Sequence, residues 1–232
     1  KVRETGADVG IAWDGDADRV GAVDERGEVL WGDRLMILFA RAVLAEVPGA
    51  AIGAEAKCSQ TLFDDIAARG GKPYMWKAGH SIIKARMKEV GAALAGEMSG
   101  HVFFKHRWFG FDDGIYASAR LLELLSHADR PMSTLLDDVP ETFSTPELRV
   151  PCPEELKFEL VKRAQAWFSA RYETITVDGV RVVFPDGFGV VRASNTQPLL
   201  VLRFEARTRE RLAEIEKLVR SRVEALMKEL GG

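Results

Sequence analysis

The apolar positions fall into short runs separated by polar turns, and their lengths and spacing predict an alternation of strands and helices. Val9–Trp13 and Val20–Val23 are apolar runs on either side of a polar loop and read as two strands, the first of them buried. Asp33 offers an N-cap to a helix reaching about Glu46, closed by Pro48 and Gly49. Ala50–Ala56 is a strand, and Ser59 caps a second helix that ends at Gly70 and Gly71. Pro73–Trp76 is a strand, followed by a helix from near Ser81. Ala92–Ala95 and Val102–Phe104 are further strands, and Ile115–Leu125 is a helix preceded by Asp112 and Asp113. Such alternation argues for an α/β layer on a mostly parallel or mixed sheet.

The pattern changes around Asp138–Pro140. Beyond it come a strand (Glu147–Val150), a helix from Glu154 to Ala170 with Pro153 at its start, three or four strands in succession between Thr174 and Ala206, and a last amphipathic helix over Arg209–Leu230. Strands grouped between two helices predict a separate, smaller α+β domain.

Composition narrows the functional classes. Of 232 residues, 47% are hydrophobic and 29% charged, as in ordinary globular proteins, and the net charge of -3 argues against a general nucleic-acid footprint. No apolar run is long enough to span a membrane. The two cysteines, Cys58 and Cys152, are far apart and form no metal-ligand pattern, which suits free thiols in a reducing cytoplasm.

Three short segments carry candidate chemistry. In Asp14-Gly15-Asp16-Ala17-Asp18-Arg19, carboxylates at alternate positions can converge on one hard cation such as magnesium or calcium. A helix-loop-helix calcium loop also uses that alternation, but it needs glycine where Arg19 stands and helices where this segment has strands. Arg19 suits a site that handles phosphate beside a metal. In Gly96-Glu97-Met98-Ser99-Gly100-His101, the glycines permit a tight turn. Glu97 and Ser99 then point the same way and can grip sugar hydroxyls, and His101 adds a proton-exchanging group. Arg192-Ala193-Ser194-Asn195-Thr196 joins a guanidinium, hydroxyls, an amide and backbone N–H groups in one turn, the composition of an anion nest. Taken alone, each segment is also the composition of an ordinary polar turn.

Together, and in this order, the three segments resemble those of the α-D-phosphohexomutases, especially the bacterial phosphomannomutase/phosphoglucomutase type. So do Lys57-Cys58-Ser59, Trp76-Lys77-Ala78-Gly79-His80-Ser81 and Trp108-Phe109-Gly110-Phe111-Asp112-Asp113-Gly114. The resemblance implies that residues 1–28 end the family's second domain, 29–140 form its sugar-binding third domain, and 141–232 form its phosphate-binding fourth. It implies Mg2+ on Asp14, Asp16 and Asp18, and Arg19 beside the transferring phosphate. It places Lys57, His80 and His101 at the reaction centre, with Lys57 or His101 as acid or base. Glu97 and Ser99 would hold sugar hydroxyls, and Arg192, Ser194, Asn195 and Thr196 the phosphate that is not transferred.

The implied reaction interconverts glucose or mannose 1-phosphate and 6-phosphate in the cytoplasm, through a bisphosphate and an enzyme phosphoserine. That serine belongs to an N-terminal domain with no counterpart in this sequence, so the chain alone is expected to be inactive. The alternatives are a catalytically silent sugar-phosphate-binding fragment and a phosphoglucosamine mutase. Met98 argues against the latter, whose pattern has glutamine there, whereas Gln197 stands where many relatives have glutamate.

Overall fold

The computed structural model describes residues 1–231, in two compact units that meet in sequence at Pro140 and Glu141. Among the described residues, no helix is long and apolar enough to cross a membrane.

The first unit opens with a short helix α1 (Val2–Thr5) and an antiparallel meander, β1 (Val9–Trp13), β2 (Val20–Asp24) and β3 (Val29–Leu30). Strand β1, expected to be buried, is only half buried and ends on an exposed Trp13, because it forms the outer edge of this small sheet. A second sheet follows. Its strands are β4 (Ala51–Glu55), β5 (Lys72–Trp76), β6 (Leu94–Gly96) and β7 (Val102–Phe104), with α2 (Gly32–Glu46), α3 (Gln60–Ala68), α4 (His80–Val90) and α5 (Gly114–Ser126) around them. Strand order is β5-β4-β6-β7. The β4–β5 and β4–β6 pairs are parallel, and β7 closes one edge antiparallel.

Helix α2 is apolar almost all round over Leu35–Ala40, and each of those six residues is buried, as a helix in the middle of a core must be. It begins two residues earlier than the sequence suggests. Trp31, not Asp33, holds the N-cap position. Asp33 lies in the first turn, where its carboxylate accepts from Arg34 N and Ser59 N, each at 3.0 Å. Gly32 makes this start possible: a Cβ there would stand 2.5 Å from Glu97 O. Arg41 of α2 pairs with Asp65 of α3 and with Asp138, and Arg69 also reaches Asp138 at 3.0 Å.

The second unit contains β8 (Phe143–Ser144), β9 (Leu148–Pro151), α6 (Lys157–Ser169), β10 (Glu173–Ile175), β11 (Val180–Phe184), β12 (Gly187–Ala193), β13 (Leu199–Ala206) and α7 (Arg209–Gly231). Its sheet is wholly antiparallel in the order β10-β11-β12-β13, with β8 and β9 both pairing with β13. Leu160, Ala164 and Phe168 of α6 share one core with Ile215, Val219, Val223 and Leu226 of α7, the spacing of a single apolar helix face. Helix α6 starts three residues later than expected, because Pro153 opens a separate turn whose carbonyl accepts from Leu156 N and Lys157 N.

Candidate functional site

In the first unit the chemistry gathers at one edge of the parallel strands. The register sets Glu55 beside Trp76 and Ala54 beside Gly96, so β4, β5 and β6 end together. Lys57, His80 and the Glu97–His101 turn lie on the segments that leave those ends. Open α/β sheets place ligands at the carboxyl ends of strands for this reason.

Glu97 and Ser99 do come together: Ser99 Oγ donates to Glu97 Oε2 at 3.1 Å, and Glu97 Oε1 accepts from Gly79 N just ahead of His80. Glu55 is 1% exposed and accepts from Met98 N at 2.9 Å, while its other oxygen lies 3.4 Å from Lys57 Nζ. A buried carboxylate thus ties Lys57 to the Glu97–His101 turn. Gly100 is held in the left-handed region at φ 99, where a side chain would meet Val20 O at 2.6 Å. That contact brings the turn against the aspartate loop, and Val20 N donates to Gly100 O at 3.0 Å.

The carboxylates of Asp14, Asp16 and Asp18 can place one oxygen each within 4.8 Å of the others. Ala17 takes φ 60 to let the loop curl, and Gly114 N at the start of α5 donates to Ala17 O at 3.0 Å. Arg19 Nε lies 3.3 Å from Asp14 Oδ2 and 3.8 Å from Asp18 Oδ1. Asp18 Oδ1 is buried and has no hydrogen-bond partner among the described residues. An orphaned buried carboxylate oxygen in a loop that gathers three carboxylates fits a small divalent cation with oxygen preference.

Arg19 Nε also donates to His101 Nε2 at 3.1 Å. His101 is buried. Its Nδ1 lies 3.2 Å from Asp112 Oδ2, which is also 3.6 Å from His80 Nδ1, and Lys84 Nζ donates to Asp112 Oδ1 at 2.8 Å. Burial pushes the Asp112 carboxyl up, but the Lys84 hydrogen bond and the charges of Lys84 and His101 outweigh it and leave it below the usual carboxylate range. The motif reading assigned Asp112 no role. The doublet Asp112-Asp113 hides a division of labour, because Asp113 caps α5 through Tyr116 N while Asp112 faces the histidines.

In the second unit, Arg192 is the penultimate residue of β12 and the turn to β13 carries Ser194, Asn195 and Thr196. Arg192 and Ser194 are buried, whereas Asn195 and Thr196 are exposed. Ser194 Oγ accepts from Gln197 N at 3.2 Å and from Thr196 N at 3.4 Å. Two N–H groups expected to be open to an anion therefore close the turn, and the Ser194 hydroxyl proton is left to donate. Asp178, which the sequence reading passed over, lies 3.1 Å from Arg192 Nε in the β10–β11 turn. Gly179 beside it has φ 70 and would place a Cβ 2.2 Å from Val191 O, so this turn is pressed against β12.

Comparison with known proteins agrees with this layout. Residues 31–143 match the family model for phosphoglucomutase/phosphomannomutase alpha/beta/alpha domain III, and residues 147–222 match the model for the C-terminal domain. The chain is 50% identical over 229 residues to a phosphomannomutase/phosphoglucomutase of Pseudomonas aeruginosa, covering 97% of this chain and 49% of that protein. It is 50% identical over 224 residues to a phosphoglucomutase of Neisseria gonorrhoeae, covering 94% and 48%. A Burkholderia thailandensis phosphoglucomutase/phosphomannomutase family structure superposes with a TM-score of 0.89 at 46% identity, covering 97% of this chain and 48% of that one. An Aspergillus fumigatus N-acetylphosphoglucosamine mutase solved with GlcNAc-6P and magnesium shares the fold at 16% identity and a TM-score of 0.68. The chain spans about half the length of the relatives it matches. On both family models and these relatives, it belongs to the phosphoglucomutase/phosphomannomutase family.

Proposed function

We propose that this chain is the sugar- and phosphate-binding part of a phosphohexomutase that interconverts the 1- and 6-phosphates of glucose and mannose. The observation that carries the reading is the cluster in which Asp14, Asp16, Asp18, Arg19, His101 and the Glu97–Ser99 pair adjoin through direct contacts. Residues 1–28 end the family's second domain, 29–140 form the third and 141–232 the fourth.

Asp14, Asp16 and Asp18 would hold Mg2+, which would supply positive charge to neutralise the phosphoryl group in transfer. Arg19 contributes a guanidinium fork for the phosphate in transit. Glu97 and Ser99 read two neighbouring sugar hydroxyls. If these are O3 and O4, which exchange places roughly when the sugar turns end over end, the same pair serves both orientations. Lys57, His80 and His101 surround the reacting hydroxyl, and His101 or Lys57 takes its proton. Arg192, Ser194, Asn195 and Thr196 grip the phosphate at the far end. The 50% identity to phosphomannomutase/phosphoglucomutase, against 36% to a probable phosphoglucosamine mutase of Methanopyrus kandleri, favours glucose and mannose over glucosamine.

The deciding experiment measures turnover by a full-length enzyme. A complete enzyme carrying this sequence, loaded with phosphate on its serine, should convert glucose 1-phosphate and mannose 1-phosphate at comparable efficiency. Glu97→Gln should impair both by a similar factor. Loss of one substrate alone would show that C2 is read and would overturn dual specificity. No turnover of either sugar would leave the silent sugar-phosphate-binding fragment as the better reading.

A further inference from the structure

Lys157 is the first residue of α6 and its side chain is fully buried. Its ammonium donates to Gln197 O, at the far end of the Ser194–Gln197 turn, at 3.1 Å and to Glu154 Oε2 at 2.8 Å. Two turns further along the same helix, Gln165 Nε2 donates to Gly179 O at 2.6 Å. Gly179 adjoins Asp178, the carboxylate beside Arg192. Helix α6 therefore fastens both turns around the phosphate-gripping group: one supplies its hydroxyls and the other flanks its guanidinium.

A buried ammonium is costly unless it is paired, and an apolar side chain would fill the same space without that cost. What the ammonium adds is direction. The Gln197 carbonyl already accepts from Leu199 N at 2.9 Å, and Cys152 N donates to the neighbouring Pro198 O at 3.0 Å. Lys157 is the one side chain among the described contacts that pins this carbonyl, and so sets how far the turn can open. With Asn195 and Thr196 exposed, the turn has little packing of its own to hold it.

We infer that Lys157 and Gln165 are positioning residues for phosphate, acting through the Gln197 and Asp178–Gly179 turns and never touching the ligand. The inference rests on the Arg192 turn being the phosphate site.

The test titrates inorganic phosphate, and separately glucose 6-phosphate, onto the 232-residue chain while following its backbone amides by NMR. Lys157→Met should raise the dissociation constant about tenfold, the scale of one charge-assisted hydrogen bond. Gln165→Met should raise it several-fold. Thermal stability should fall only modestly, because the Glu154 carboxylate left behind is 61% exposed and water can take over its pairing. A purely structural role would show the reverse, a marked loss of stability with unchanged affinity. If both variants are folded and bind as the parent does, the inference is overturned while the site stands. If phosphate does not bind, or binding survives Arg192→Ala, the site itself is misassigned and the inference falls with it. Should Lys157→Met fail to fold, Gln165→Met decides alone.

Discussion

Arg19 Nε donates to His101 Nε2 at 3.1 Å, and this contact decides which imidazole nitrogen carries the proton. An accepting Nε2 has its lone pair exposed, so the neutral ring holds its hydrogen on Nδ1, facing Asp112 Oδ2 at 3.2 Å. While Arg19 keeps its hold, Nε2 is closed to a sugar hydroxyl. Nitrogen-15 NMR of the chain should find the neutral His101 ring protonated at Nδ1, and Arg19→Leu should shift population toward the Nε2–H form. An Nε2–H signal in the unaltered chain would exclude this arrangement.

The aspartate loop should take up a divalent ion in this chain. Substoichiometric Mn2+ should broaden the amide signals of Asp14–Arg19 before others, and Mg2+ should compete it away. Asp16→Asn removes one charged oxygen donor from the set and should weaken the ion by roughly tenfold or more, since affinity follows ligand charge. Equal broadening in both proteins would remove Asp16 from the metal set.

Gly32 tests how closely the core and the site are joined. Alanine near a helix start gains at most about 1 kcal/mol of propensity over glycine. Its Cβ, however, would stand 2.5 Å from Glu97 O and 2.7 Å from Met98 O. Overpacking of that kind costs about 1–3 kcal/mol, so the clash wins. Gly32→Ala should lower the midpoint of chemical denaturation and shift the Glu97–Ser99 signals together. A raised midpoint would show that the turn moves aside freely.

The Arg41–Asp138 pair should make the first unit sensitive to acid. The hydrogen bond from Arg41 holds the Asp138 carboxyl below the usual carboxylate range. A depressed folded-state pKa stabilises above the unfolded value and is lost as pH falls through the folded value. Asp138→Asn should therefore lower the melting temperature at pH 7, and the difference should shrink as pH drops below the ordinary carboxylate range. A gap that stays constant into strong acid would deny the pair that role. Because Asp138 is half exposed, the effect should be modest.

The alternation of apolar runs was enough to place nearly every long strand and helix, because each carries a run of side chains that must be buried. Shorter pieces escaped it. The two-residue strands Val29–Leu30 and Phe143–Ser144 have too few positions to show a period, and they exist because β2 and β13 offer free edges. Helix starts shifted at Gly32, where the chain packs closely against the Glu97–Met98 backbone, and after Pro153, where a separate local turn comes first. The site was legible where its residues are consecutive, as in Asp14–Arg19, Glu97–His101 and Arg192–Thr196. It was not legible where a partner comes from distant sequence. Glu55, Asp112 and Asp178 are each a single carboxylate with no local pattern, and only folding sets them against Lys57, His101 and Arg192.

The parallel pairing of β4 with both β5 and β6 carries a lesson for redesign. The Lys57, His80 and Glu97 segments all leave the sheet on one side, beyond the last hydrogen-bonded rung of each strand. Exchange is limited by what each segment gives the fold: Ala56 N donates to Trp76 O, Glu97 N donates to His101 O, and Cys58 is buried in the same core as α2. The Gly96–His101 turn also meets its neighbours closely at Gly32 and Gly100. Grafting a different turn between Gly96 and His101 should therefore succeed only when both glycines are kept, and those two positions mark where fixed scaffold ends and exchangeable sequence begins.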